Sequence, residues 1–253
     1  KKRGHGAVNL HDALVQSCDV YFYTVGHRMG IDTLASYAKK LGFGMPTGLG
    51  LSREKSGLVP STKWKLKNRK EAWLLGETIS ASIGQGYNLV TPLQQANMMA
   101  AVANGGMLLK PYLVKRIEEP GGKIIKEFFP KIKGRITGNP ENMEIIRNAL
   151  RDVVNGTRGT GKKSRLKDVV VSGKTGTVQV VRMKSNEELE KGEEIPYKYR
   201  DHAWFVAFAP YEKPEIAVAV LVEHGGHGGA TAAPIAQKIF KKYFQLYPPN
   251  PAA

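Results

Sequence analysis

The sequence predicts an α+β fold, an antiparallel sheet flanked by helices. Three observations predict it. Capped or apolar helical segments dominate the first part of the chain. Three alternating runs follow, at residues 172–181, 202–208 and 216–223, joined by turn-forming stretches. A last helical pattern, residues 231–247, is placed to pack back on those strands. With 253 residues, 42% of them hydrophobic, the chain is long enough for one sizeable core. Neither an internal repeat nor a linker interrupts it, so residues 1–253 read as one domain with a tail at 247–253.

Asn9 caps a helix over Leu10–Gln16, with Asp12 in its first turn. Ser17-Cys18-Asp19 interrupts, and residues 20–29 read as a second apolar helix ending at Gly30. Asp32 caps a third that runs to Lys40 and stops at Gly42. Residues 42–57 are glycine-rich and irregular, and the basic, polar residues 61–70 read as surface. Residues 78–87 are small and glycine-rich. Thr91, Pro92 and Gln94 then spell a capping box at the start of a helix that ends at Asn104-Gly105-Gly106. Residues 108–117 and 123–129 read as a hairpin around Pro120-Gly121-Gly122. Asn139-Pro140 opens a helix over 141–155, with Met143, Ile146, Leu150, Val153 and Val154 on one face. A glycine-rich basic loop, 156–167, leads into the first strand of the sheet. Residues 183–200 read as a polar excursion between strands, and 225–229 as a turn.

Composition narrows the function classes. Net charge is +16, which draws polyanions or lines a basic surface. The lysines are scattered, and neither an RNA-binding signature nor a helix-turn-helix accompanies them, so nucleic acid is not the expected partner. No stretch reaches the ~18 apolar residues that span a bilayer. Lys1-Lys2-Arg3 is followed by Gly4-His5-Gly6, not by the apolar segment of a signal peptide. Cys18 is the only cysteine, which rules out an internal disulfide.

Two segments carry candidate chemistry. Ser172-Gly173-Lys174-Thr175-Gly176-Thr177 heads an alternating run and sets a fixed positive charge and two hydroxyls on a sheet edge. Gly176 lets a substrate or another backbone approach closely. Such an edge suits an extended peptide and its terminal carboxylate. The second segment is Ser17-Cys18-Asp19 at a break between helices. Its serine can relay a proton, and its aspartate can accept hydrogen bonds or cap the next helix.

In this order and spacing the two segments resemble the penicillin-binding proteins, whose motifs are Ser-x-x-Lys, Ser-x-Asn and Lys-Thr-Gly. Gly4-His5-Gly6 with Asn9-Leu10, Tyr21-Phe22-Tyr23 and Gly30-Ile31-Asp32 are similar to the class B, elongation-type branch, penicillin-binding protein 2. So are Gly84-Gln85-Gly86-Tyr87 with Thr91-Pro92-Leu93-Gln94, and the run from His202 to Ala209-Pro210. The resemblance covers nearly the whole chain. It implies the serine β-lactamase/transpeptidase-like fold and a peptidoglycan D,D-transpeptidase acylated by D-Ala-D-Ala stem peptides and by β-lactams. It makes Ser17, Asp19 and Lys174 catalytic and gives Thr175, Gly176 and Thr177 the substrate carboxylate. Thr177 N–H supplies half of the oxyanion hole. The implied partners are peptidoglycan stem peptides, the lipid-linked precursor, β-lactam antibiotics and a glycosyltransferase of the elongation machinery. The implied location is the periplasmic face of the bacterial inner membrane, with the anchor outside this chain.

Two departures stand out. Asp19 replaces the usual Asn, which keeps the acceptor and loses the amide donor, as the elongation-type branch also does. The nucleophile motif belongs well before Ser17, but the chain starts sixteen residues ahead of it. The Ser-x-x-Lys patterns present, at 52–55 and 164–167, lie among polar, glycine-rich neighbours, where a lysine is not desolvated to act as base. The expectation is a partial transpeptidase domain, without the nucleophile and the first strands.

Rival readings remain. A serine β-lactamase needs a deacylating base between the second and third motifs, and Glu71 and Glu77 lie there without the Glu-x-x-Leu-Asn context. A non-catalytic penicillin-binding or scaffold domain is the second rival. Residues 156–163 almost spell a phosphate loop, with Lys163 where Ser or Thr should hold magnesium. No cofactor is required for the transpeptidase chemistry. A zinc site would begin from His5 and Cys18, with further ligands from outside the chain. His224 and His227 sit among glycines that suit a tight turn.

Overall fold

The computed structural model describes residues 4–136, 138–180 and 196–249. Helix α1 (Leu10–Gln16) starts as expected, the Asn9 side chain accepting from Asp12 N–H at 2.8 Å. Helix α2 (Asp19–Met29) follows a two-residue break. Helix α3 (Ile31–Lys40) begins ahead of its expected cap, so Asp32 lies inside its first turn. The Asp32 carboxylate accepts instead from the backbone N–H and hydroxyl of Thr62, at 3.0 and 2.7 Å.

Two further helices appear, α4 (Thr62–Arg69) in the stretch read as polar surface and α5 (Leu75–Ala81) running into the small, glycine-rich residues 78–87. Lys65, only 2% exposed, donates to Glu77 at 2.6 Å and lies 3.4 Å from Glu71. Its basic side chain is tolerated inside because α5 brings a carboxylate to meet it. Helix α6 (Pro92–Ala103) has the expected Thr91–Gln94 capping box. Buried Gln94 also donates to Met45 O and Ser56 O, at 2.9 and 2.8 Å, tying down the glycine-rich segment.

The expected hairpin of 108–117 with 123–129 is divided. Strand β1 (Met107–Lys110) stops before Pro111, which has no N–H to give a ladder. Strand β2 (Arg116–Glu118) pairs with β3 (Ile124–Glu127), whereas β1 pairs with β4 (Lys131–Arg135). Helix α7 (Pro140–Asn155) is capped by Asn139, which accepts from Glu141 N–H at 3.0 Å.

The three alternating runs form one antiparallel sheet in the order β5 (Ser172–Val178), β6 (His202–Ala209), β7 (Ile216–Val222). Residues 181–195, and with them most of the expected excursion, lie outside the described residues. Helix α8 (Gly228–Leu246) starts inside the stretch expected to be a turn. It covers one sheet face, packing Ala232, Ala236 and Phe240 on Phe205, Ala207 and Val171. On the other face Phe208 joins Met99 and Val102 of α6 and Leu150 of α7. Burial of each large side chain here is worth about 1.5–3 kcal/mol. Mixed helices around an antiparallel sheet are the class that alternation and capping predicted.

Candidate active site

Strand β5 carries Lys-Thr-Gly at the sheet edge, since among the described residues its one ladder partner is β6. Gly173 is required there: a Cβ would come within 2.7 Å of Ala207 Cβ and Val206 O. The period of two puts Lys174 and Gly176 on one face, and Thr175 and Thr177 on the other. Lys174 turns towards the helices. Its Nζ donates to Ser17 Oγ, 157 residues away in sequence, and to Thr175 O at 3.0 Å.

Ser17 reaches this position from the α1–α2 break, where its backbone is left-handed (φ 53, ψ 60). That conformation costs a non-glycine residue about 1–3 kcal/mol and persists where neighbours enforce it. Two contacts do so. His11 on α1 reaches Asp152 on α7 at 3.1 Å. Gly26 on α2 lets α5 approach so closely that a Cβ would fall 2.3 Å from Ser82 Cβ. Cys18, not Asp19, takes the cap position of α2, and its side chain makes no capping bond. Asp19 is the first helical residue, so the cap it was expected to form is not made. Burial of the ammonium pushes the Lys174 pKa down from 10.5 to about 8, against the opposing pull of the Asp19 carboxylate. Burial, aided by the same carboxylate, pushes the Tyr23 phenol up.

The threonine face meets the start of α8. Gly228 fits only as glycine, because a Cβ would stand 2.2 Å from Trp204 O and 2.3 Å from Gly176 O. Gly228 N–H points at Thr177 Oγ1 from 3.4 Å, and Thr160 Oγ1 lies 2.9 Å from Thr175 Oγ1. The positive end of the 19-residue helix α8 thus sits beside the hydroxyl pair, a favourable place for a carboxylate.

The outward side of the β5 edge is marked by Gln85, whose Nε2 donates to Thr177 O at 3.0 Å. In an antiparallel strand the N–H and C=O of one residue point the same way, so Thr177 N–H also faces outward. A cavity of about 630 Å³ opens there. Ser17, Asp19, Lys174, Thr175, Gly176 and Thr177 all line it, so every catalytic and carboxylate-binding residue expected from sequence comes together. Tyr23, Gln85, Asp201 and His227 share the lining and were not foreseen. Gln85 had one local signal, a glycine on each side.

The other candidates fare differently. His5 and Cys18 line a neighbouring cavity of about 660 Å³. Among the described residues, however, no three His, Cys, Asp or Glu side chains converge as a metal site would need. Ser52 lies exposed in a turn. Ser164 is buried and donates to Gly161 O at 2.8 Å, and Lys167 lines a different cavity beside α8. Neither pattern reaches the Lys174 cavity. The remote phosphate-loop rival gains no support: the expected helix, α7, rather than a strand precedes the loop, and Lys162 donates back to Thr157 O. Glu77 is held by Lys65 and by Leu74 N–H, at 2.6 and 2.7 Å, and Glu71 sits beside the same lysine. His224 stands in a turn just ahead of the expected 225–229 stretch, its backbone N–H donating to His202 Nδ1 at 2.9 Å.

A Lys-Thr-Gly edge facing a serine at a helix break, on a helix-covered antiparallel sheet, defines the serine acyltransferase class of fold. The family model described as penicillin binding protein transpeptidase domain matches residues 1–241, and the chain belongs to that family. Among curated proteins it is similar to the peptidoglycan D,D-transpeptidase MrdA of Haemophilus influenzae, with 39% identity over 96% of this chain and 37% of the relative. The MrdA of Acinetobacter baumannii is also 39% identical, over 99% of this chain and 37% of the relative. Among solved structures, Pseudomonas aeruginosa PBP2 in complex with WCK 5153 matches with TM-score 0.78 and 36% identity, over 94% of this chain and 47% of that one. PBP2 of Helicobacter pylori in complex with MreC matches with TM-score 0.81 and 34% identity, over 98% and 42%. The chain therefore spans under two-fifths of the length of these curated relatives.

Proposed function

We propose that this chain is the larger part of the transpeptidase domain of a peptidoglycan D,D-transpeptidase of the elongation type. The contact of Lys174 with Ser17 beside an outward Thr177 N–H carries the reading. Neither Ser-x-x-Lys pattern of the chain stands at the cavity, so the attacking serine is assigned to the longer protein. That serine attacks the D-Ala-D-Ala carbonyl and releases D-Ala, and the amine of a second stem peptide then takes the acyl group. Ser17 passes the proton to the leaving amine. It can do so because Lys174, with a pKa near 8, holds its hydroxyl as an acceptor and exchanges protons near neutral pH. Thr175, Thr177 and the start of α8 hold the substrate carboxylate. Thr177 N–H stabilises the oxyanion, a role whose loss costs about 10²–10³ in rate.

The relative from P. aeruginosa is in complex with WCK 5153, and the one from H. pylori is in complex with MreC. By kinship we assign this protein β-lactams as inhibitors, and an MreC-like protein and a glycosyltransferase as partners. We place it at the periplasmic face of the inner membrane. The +16 charge would favour a lipid-linked, pyrophosphate-bearing polymer.

The test is acylation of the full-length protein by a fluorescent penicillin, followed by nitrocefin turnover. One stoichiometric acylation supports the transpeptidase. Sustained hydrolysis would indicate a β-lactamase instead, a reading disfavoured by the engagement of Glu77 with Lys65. No acylation would leave a scaffold domain.

A further inference from the structure

Gln85 commits both ends of its amide to the β5 edge. Nε2 donates to Thr177 O at 3.0 Å, and Oε1 accepts from Gln179 N–H at 3.3 Å. A C=O and the N–H two residues on are what one residue of a parallel neighbouring strand would engage. The side chain is held for this task. Gly84 and Gly86 flank it at φ 80 and 72, where L side chains are disfavoured. Gln85 N–H donates to Ser80 O at 3.1 Å, and Gln85 O accepts from Asn88 Nδ2 at 3.0 Å. Through α5 and the Gly26–Ser82 approach, the loop is fastened to α2, the helix that presents Asp19.

We propose that Gln85 is a positioning residue: its amide stands in for a β-strand at the end of the β5 edge, aims Thr177 N–H into the cavity and ends ligand pairing at Thr177. The inference rests on the reading of that edge as the place where an extended peptide and its carboxylate bind. Past Thr177 the outward groups are already engaged, so an extended peptide pairs along Thr175–Thr177 and slips no further. A strand edge without such a stop leaves register weakly specified. Misplacing a reacting group by an ångström costs up to about 10²-fold in rate. The clamp acts through Thr177 and needs no contact with the reacting atoms.

The experiment has two arms and two variants, Gln85→Met, which keeps length and removes both bonds, and Gln85→Glu, which keeps the acceptor alone. In the first arm, amide hydrogen exchange is followed at Gln179 in the chain itself. Gln85→Met should speed it about tenfold or more, and Gln85→Glu should leave it near the parent. Unchanged exchange in Gln85→Met overturns the clamp. In the second arm, acylation of the full-length protein by a β-lactam is resolved into binding and chemistry. Gln85→Met should lower the acylation rate constant roughly ten- to a hundredfold while the binding constant moves less than about threefold. Faster exchange with unaltered acylation overturns the positioning role. If Gln85→Met does not fold, Gln85→Glu decides. An acylation rate constant at the parent value there, with the donor to Thr177 O gone, overturns the role, and a drop supports it. A parent protein that no β-lactam acylates refutes the transpeptidase reading, and the exchange arm still judges the clamp.

Discussion

The sheet β5–β6–β7 and the arm β2–β3 are both built of short antiparallel strands, yet they differ in what covers them. Phe205 in β6 is fully buried, with α8 on one side of the sheet and α6 and α7 on the other. All four residues of β3 are exposed, and Ile125 shows 61% of its surface. Ladder hydrogen bonds and β propensity suffice to write a ribbon. Side-chain geometry fixed to a fraction of an ångström requires the close-packed interior that the ribbon lacks. The candidate catalytic groups stand on the packed region, and none stands on the arm.

Substitutions test how far the two regions differ. The largest effect is expected for Phe205→Ala, which opens a cavity under the site and should cost about 3–5 kcal/mol in denaturant unfolding. Next, Lys174→Met should slow β-lactam acylation of the full-length protein by at least about 10²–10³-fold with little change in fold, as seen by circular dichroism. Gly228→Ala should cost about 1–3 kcal/mol by thermal or denaturant melting, because the new methyl meets two carbonyl oxygens. On the arm, Ile125→Ser should stay within about 0.5 kcal/mol of the parent. An arm substitution that unfolded the protein would erase the distinction between the two regions.

Titration sharpens the same contrast. With its pKa near 8, Lys174 loses its charge as pH rises through that value, so capture of anionic β-lactams should fall above pH 8. Lys174→Met should lack that limb. Stability moves the other way. The folded state holds this proton less tightly than the unfolded chain, so the cost of the buried ammonium is present below pH 8. It lifts as pH rises from about 8 towards 10.5. Urea melts across that window, parent against Lys174→Met, measure it.

The legible parts of the fold are those governed by local rules. Thr91 to Gln94 and Asn9 to Asp12 act within one helical turn, and the alternation of β6 and β7 reports burial directly. Helix α4 was illegible because Lys65 is buried by partners on another segment, Glu77 twelve residues on. The division of the hairpin had a signal in Pro111. The register, β1 with β4 across twenty residues, had none. At the candidate site, the meeting of Lys174, Ser17 and the threonines at one cavity was readable through their motif resemblance, because the chemistry that resemblance implies needs those side chains together. Thr160 and Gln85 act through contacts with β5 that only folding creates.

The left-handed backbone of Ser17 has a consequence for how this sequence can drift. Glycine, and to a lesser degree asparagine, are more at ease at φ 53 than serine is. Ser17→Gly would relieve strain and at the same time remove the hydroxyl that Lys174 grips. Fold and chemistry therefore select in opposite directions at this one codon. A lineage released from that chemistry would be expected to lose the serine early and shed the backbone strain with it.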